Sequence, residues 1–216
     1  MLFNTNPIIA KLLKKFRLDL NYIYNDKFAT SDLRTKTWVD IFADLIIKKF
    51  HPKSIIDFGC GTGDIIHPFE KSKIKILGVD GSKFNFLHRK IHENNFLLFD
   101  LRNEFQPSQK YDLCFCLEVA EHIEEKYTET LISNLTRSSD LIIFTAAAPD
   151  QKGHDHVTLK EPAWWIGHFD RKGFFIDHKT TEQLRLAMKK IDGIQPWYIN
   201  NLQVYNNNSL THHQEE

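Results

Sequence analysis

The sequence predicts an α/β chain whose core is a parallel sheet covered by helices on both faces. Apolar runs of strand length recur at Ile55–Phe58, Ile74–Val79, Phe96–Phe99, Tyr111–Leu117 and Leu141–Thr145. Roughly twenty residues separate one run from the next, room enough for a helix in most gaps. The runs are almost continuously apolar, as strands buried on both faces are. The first run feeds directly into glycines at 59, 61 and 63, the strand–turn–helix opening of a nucleotide-type site.

Residues 1–50 read as a helical N-terminal extension belonging to the same domain. Ile8, Ile9, Leu12, Leu13 and Phe16 recur at helical spacing, as do Trp38, Ile41, Phe42, Leu45 and Ile46. The polar and aromatic stretch between them, Tyr22 to Thr37, suits a lid. His51-Pro52 ends the second helix. After the glycine turn, Ile65, Ile66 and Phe69 mark a helix whose first turn Pro68 shapes. The third crossover, Leu101 to Lys110, is short and contains Pro107, leaving space for one helical turn or none.

Beyond the fifth strand, Ala146 to Lys160 forms a loop carrying Gly153-His154-Asp155-His156. A helix over Glu161 to Lys172 follows, with Pro162 in its first turn and Gly173 as its C-cap. Phe174–Ile176 is a sixth strand, Glu182 to Lys190 a short helix and Leu202 to Tyr205 a seventh strand. The main domain is thus expected over 51–206, with a frayed tail over 207–216.

At 216 residues the chain accommodates one well-buried domain. Lys plus Arg and Asp plus Glu both number 28, so the net charge is zero, and a broad nucleic-acid face is not expected. The three cysteines, Cys60, Cys114 and Cys116, are odd in number, and two share one strand face. That is no disulfide framework, so a reducing cytoplasm is expected. No apolar run reaches membrane-spanning length. Lys11, Lys14 and Lys15 follow an apolar stretch, the reverse of a signal peptide's order.

The glycine turn also constrains its ligand. A dinucleotide fingerprint places its third glycine where this chain has Asp64, and a phosphate loop's Gly-Lys-Ser/Thr is absent. Asp57 and Asp64 would repel a pyrophosphate, so the turn suits an uncharged or cationic group. Four successive strands finish on an acid: Asp57, Asp80, Asp100 and Glu118. In an open α/β sheet these share the ligand-binding edge. A partner that donates hydrogen bonds or carries positive charge is expected among them.

Asp57-x-Gly59-x-Gly61-x-Gly63, with these acids, resembles the class I S-adenosylmethionine-dependent methyltransferases over about residues 50–180. The resemblance implies a Rossmann-like, doubly wound, seven-stranded sheet, mostly parallel with an antiparallel last strand. It also implies S-adenosylmethionine as cofactor and S-adenosylhomocysteine as product. Asp80, in Gly-Val-Asp-Gly81-Ser, matches the acid that takes the ribose hydroxyls. Asp100 and Leu101 match the pair that reads adenine. Gly59, Cys60 and Gly61 match the backbone cradle of the methionine part, with Asp57 beside it, and Glu118 would face cofactor or acceptor. Glu-Val-Ala-Glu-His at 118–122 is similar to ubiquinone-pathway O-methyltransferases, where an upstream arginine holds the cofactor carboxylate. Arg34 is the candidate, a surface arginine being the alternative.

Methyl transfer to a hydroxyl or ammonium acceptor needs alignment and a base. His122, His154 and His156 lie on the ligand-binding edge and are the candidates. Trp164, Trp165 and Phe169 either wall an acceptor pocket or cover the sheet. The acceptor is expected to be a small molecule or glycan precursor, since Gly153 to Phe174 looks similar to methyltransferases of sugar and natural-product gene sets. No membrane, nucleic-acid or metal partner is expected. A rival reading groups Glu118, Glu121 and His122 at i, i+3 and i+4 with His154 or His156 as a cation site. That grouping resembles the metal-dependent RNA 2′-O-methyltransferases. A cofactor-binding subunit without catalytic activity is the non-enzyme alternative.

Overall fold

The computed structural model describes residues 36–207. Arg34, the expected N-terminal helix, all but the end of the expected lid and nearly all of the expected tail lie outside that range. The described chain opens with helix α1, Lys36–Phe50, where Trp38, Phe42 and Ile46 line the buried side and Ile41 faces outward.

Seven strands follow: β1 Ser54–Phe58, β2 Lys75–Asp80, β3 Phe96–Leu98, β4 Leu113–Leu117, β5 Leu141–Thr145, β6 Phe174–Ile176 and β7 Gln203–Asn207. They form one sheet in the order β3-β2-β1-β4-β5-β7-β6. Neighbours from β3 to β5 pair in parallel, and β7 runs antiparallel to both β5 and β6. Strand order reverses between β1 and β4, which is where a doubly wound sheet opens a crevice.

Both sheet faces are buried, which explains the uninterrupted apolar strands. On β4, Leu113, Phe115 and Leu117 face one cluster with Trp38, Phe42 and Phe69. Cys114 and Cys116 face the other, with Phe58, Phe144 and Trp165. Phe115 meets the rings of Phe42 at 6.0 Å and Phe69 at 5.8 Å, tying α1 to the sheet. The three cysteines are buried and unpaired.

The helices are α2 His67–Lys71, α3 Lys83–Leu87, α4 Thr128–Ser138, α5 Pro162–Asp170, α6 His178–Met188 and α7 Pro196–Asn200. No helix lies between β3 and β4, as the short crossover with Pro107 predicts. Trp165 and Phe169 on α5 are buried against Phe144 and Tyr205, so this face covers the sheet rather than walling a pocket. Helix α6 begins four residues earlier than its apolar pattern suggests, because Asp177 caps it through the Thr180 amide at 2.8 Å. Helix α7, one turn long, escapes sequence reading altogether. No helix among the described residues is long and apolar enough to cross a membrane.

Candidate active site

A crevice of ≈ 270 Å³ opens at the carboxyl ends of β1, β2 and β4, walled opposite by the loop after β5 and by α7. Its floor is the glycine turn. Gly59, Gly61 and Gly63 all adopt left-handed backbone, with φ of 77°, 58° and 85°. The Gly59 amide donates to the Val79 carbonyl at 2.7 Å, fastening the turn to β2. A Cβ on Gly59 would fall 2.3 Å from Val119 Cγ2, whereas one on Gly61 would meet nothing within 4 Å. Gly59 is therefore required by packing, and Gly61 leaves the backbone open to the crevice.

Asp80 ends β2 and is 6% exposed. Its carboxylate accepts from the Gly61 amide at 2.9 Å, the Ser82 amide at 2.8 Å and Asn85 Nδ2 at 3.1 Å. Burial nonetheless outweighs these bonds and pushes its pKa up to about 6. Asp57 is more deeply placed, and burial, then the neighbouring Asp80 charge, pushes it up to about 7. A carboxylate pair so far from its ordinary range is matched by a ligand carrying positive charge or hydrogen-bond donors. Asp64, also on the wall, is instead paired with Lys90 and accepts from Thr62 Oγ1 at 2.6 Å.

Asp100 and Leu101 stand farther out and do not line the crevice. Both Asp100 oxygens accept from the Arg102 guanidinium, Nε to Oδ1 at 2.8 Å and Nη2 to Oδ2 at 2.6 Å. Leu101 is buried with Phe58 and Val79, and Gly81 lies between Asp80 and the cap of α3 without reaching the crevice wall. Of the four strand-end acids, then, Asp57, Asp80 and Glu118 converge and Asp100 is turned to its own arginine.

Glu118 ends β4 in left-handed backbone, φ 54°, held there by its amide donating to Thr145 Oγ1 at 2.8 Å. Its side chain accepts from Gln151 Nε2 at 2.7 Å and Asn201 Nδ2 at 3.1 Å. The segment after it is not an α-helical turn: Ala120–His122 is a 3₁₀ turn. Glu118 stays in contact with Glu121 but is not part of the converging group of possible ligands. The groups that do converge are Glu121, His122 and His156, whose ligand atoms lie within 4.8 Å of one another.

Glu121 is fully buried, and neither carboxylate oxygen has a hydrogen bond of normal geometry. Burial, then the Glu118 charge, drives its pKa well above the glutamate range, against a smaller opposing pull from the Glu121 and Ala147 amides. His122 is pushed down to about 4 by burial and by His156. Its Nδ1 lies 3.3 Å from the Asp155 carbonyl, and His156 Nδ1 lies 3.3 Å from the Gln151 carbonyl. A carbonyl only accepts, so both rings carry hydrogen on Nδ1, and His122, kept neutral by burial, has its lone pair on Nε2. His154 lines the crevice mouth and is exposed. Trp197 and Tyr198 of α7 complete the wall. Neither they nor Gln151 and Asn201 were expected, since amides and aromatics in one short turn carry no spacing signal.

The fold, the glycine turn and the paired acids define a Rossmann-like methyltransferase. A methyltransferase domain model matches residues 31–192, and the chain belongs to that family, the class I S-adenosylmethionine-dependent methyltransferases. A ubiquinone biosynthesis O-methyltransferase of Rhodopseudomonas palustris is 32% identical over 102 residues, covering 40% of this chain and 40% of that protein. The matched stretch thus spans well under half of that relative's length. DesVI of Streptomyces venezuelae superposes with TM-score 0.63 at 13% identity, over 85% of this chain and 99% of that one. Magnesium protoporphyrin IX methyltransferase of Synechocystis, with bound S-adenosylhomocysteine, superposes with TM-score 0.56 at 20% identity, over 92% and 97%. A sugar N-methyltransferase of Streptoalloteichus gives 0.62 at 14%, over 84% and 92%.

Proposed function

We propose that this chain methylates a hydroxyl or amine of a small molecule or glycan precursor. The observation that carries the reading is the buried Asp57–Asp80 pair beside the glycine turn, in the same crevice as His122, His154 and His156. The cofactor supplies an electrophilic methyl group on a cationic sulfur. Asp57, Asp80 and the turn from Gly59 through Cys60 to Gly61 would hold its nucleoside and methionine parts. Gly81, Asp100, Leu101, Glu118 and Arg34 complete the proposed cofactor contacts, with Asp100 reaching adenine only if Arg102 releases an oxygen. Alignment of donor and acceptor is worth roughly 7–11 kcal/mol.

His154 and His156 are the proposed bases. His122, held neutral by burial, is better suited to orient an acceptor hydroxyl through its Nε2 lone pair. Calorimetric titration with S-adenosylmethionine and with NAD tests the binding, and NAD alone binding would overturn it. Transfer of labelled methyl to a metabolite panel tests catalysis and distinguishes an enzyme from a silent partner subunit. A cytoplasmic setting is supported by three unpaired cysteines in the core.

One observation favours a second reading. Glu121, His122 and His156 each bring one ligand atom to within 4.8 Å of the others, a donor set suited to a divalent cation. A cation there would orient an acceptor oxygen, as the RNA-methylating alternative requires, although the zero net charge offers little affinity for RNA. A rise in melting temperature with Mn²⁺ or Mg²⁺, absent in His156→Ala, supports this reading. Indifference to EDTA removes it.

A further inference from the structure

Glu118, Gln151 and Asn201 come from three separate parts of the chain and close a ring of hydrogen bonds. Gln151 Nε2 donates to Glu118 Oε2 at 2.7 Å, and Asn201 Nδ2 donates to Glu118 Oε1 at 3.1 Å. Asn201 Nδ2 also donates to Gln151 Oε1 at 2.7 Å. The ring needs a carboxylate at its centre. Two amide nitrogens converge on it, and a glutamine at 118 would set one N–H₂ group against another. It also explains why a non-glycine residue is kept at φ 54°, since that backbone turns the carboxylate back toward the loop and α7.

The loop that this ring holds is shaped around His156. A Cβ on Gly153 would lie 2.1 Å from His156 Nε2, so the imidazole occupies the space that a larger residue would fill. The Gln151 carbonyl meets His156 Nδ1 at 3.3 Å, and the His156 ring stands 5.0 Å from that of His122, edge to face. The amides of Val157 and Thr158 then donate to the Glu121 carbonyl at 2.8 and 3.0 Å. Glu118 and Asn201 both act on the loop through Gln151, five residues before His156.

We propose that Glu118, Gln151 and Asn201 are positioning residues that clasp the loop after β5 and seat His156 beside Glu121 and His122. Glu118, at the edge of the proposed cofactor site, serves in this arrangement as a strut for the acceptor side of the crevice. The inference rests on the functional reading for what His156 does, but its geometry is tested without the reaction.

The experiment uses the full-length protein and the variants Asn201→Asp and Gln151→Ala. Asn201→Asp replaces the donor with a carboxylate facing Glu118, and Gln151→Ala removes the other donor while leaving the β4 strut untouched. The imidazole ring protons of His122 and His156 give a nuclear Overhauser effect in the wild type. It is lost in both variants. Amide exchange of Val157 and Thr158 rises about tenfold, while amides of β4 and β5 exchange as before. Persistence of the ring contact with unchanged exchange at 157 and 158 in either folded variant overturns the clasp. A purely structural role, tying α7 to the sheet, would raise exchange in α7 and leave the ring contact intact, and that result also overturns it. Titration with S-adenosylhomocysteine separates the two levels: affinity within about threefold of wild type in Gln151→Ala is expected. Wild type that fails to bind it would sink the functional reading while leaving the clasp standing.

Discussion

The Gly61 amide donates to the Asp80 carboxylate at 2.9 Å, so the tip of the second strand sets the shape of the glycine turn after the first. The same carboxylate accepts from the amide of Ser82, the N-cap of α3, and from the Asn85 side chain in its first turn. One side chain thus joins the turn, the strand and the next helix. Asp80→Ala removes three hydrogen bonds to an ionisable group, each worth about 1.5–3 kcal/mol in comparable sites. Affinity for S-adenosylhomocysteine is expected to fall more than tenfold, read by calorimetry. Unchanged affinity would dismiss Asp80 as a cofactor residue.

Gly59 and Gly61 differ in a way that two alanine variants can expose. Gly59→Ala meets both a left-handed backbone and a collision with Val119, so it should lose about 2–4 kcal/mol in urea unfolding. Gly61→Ala meets only the backbone penalty and should lose about 1 kcal/mol. Its methyl group would project where the ligand is proposed to lie, so it should fold yet bind S-adenosylhomocysteine poorly. Equal stability losses would show that Val119 yields freely.

Asp57 and Asp80 give the protein without ligand an inverted pH dependence. Their native pKa values, about 7 and about 6, lie above the ordinary 3.8, so the native state holds protons that the unfolded chain has released. Native stability is then greatest below about pH 4 for these groups and is lost as pH rises toward 7. The slope is at most about 1.4 kcal/mol per pH unit for each proton. Asp57→Asn should flatten the fall in melting temperature between pH 5.5 and 7.5. A cationic ligand favours the ionised acids, so its affinity should tighten over the same interval in wild type and not in the variant. A wild-type melting temperature that climbs with pH to the same extent as the variant's would refute the assignment.

The Tyr205 hydroxyl is buried without a hydrogen-bond partner, beneath a ring stacked on Phe169 at 3.8 Å between centroids. Tyr205→Phe keeps the stack and removes the unsatisfied group. It should stabilise the fold by about 1 kcal/mol in denaturant unfolding, with binding unchanged. Loss of stability would reveal a partner for that hydroxyl, such as a trapped water.

Much of this protein is legible in its chain order because the relevant signals are local. Ile55–Phe58 followed by glycines at 59, 61 and 63 dictates a strand and a left-handed turn whatever surrounds them, since only glycine adopts that backbone cheaply. Apolar runs with no polar alternation call for burial on both faces, and the seven strands appear within a residue or two of where those runs lie. The acids at 57, 80 and 118 reach one crevice because parallel strands bring their carboxyl ends to one edge, with Asp57, paired to Gly78 and Phe115, set deeper than the other two. What the tertiary structure alone decided is which groups meet across long separations. Glu121 joined His156 while Glu118 joined Gln151 and Asn201, and α7 supplied Trp197 and Tyr198. Hydrogen bonds between side chains follow direction and distance after folding, and no periodicity along the chain encodes a contact 83 positions away.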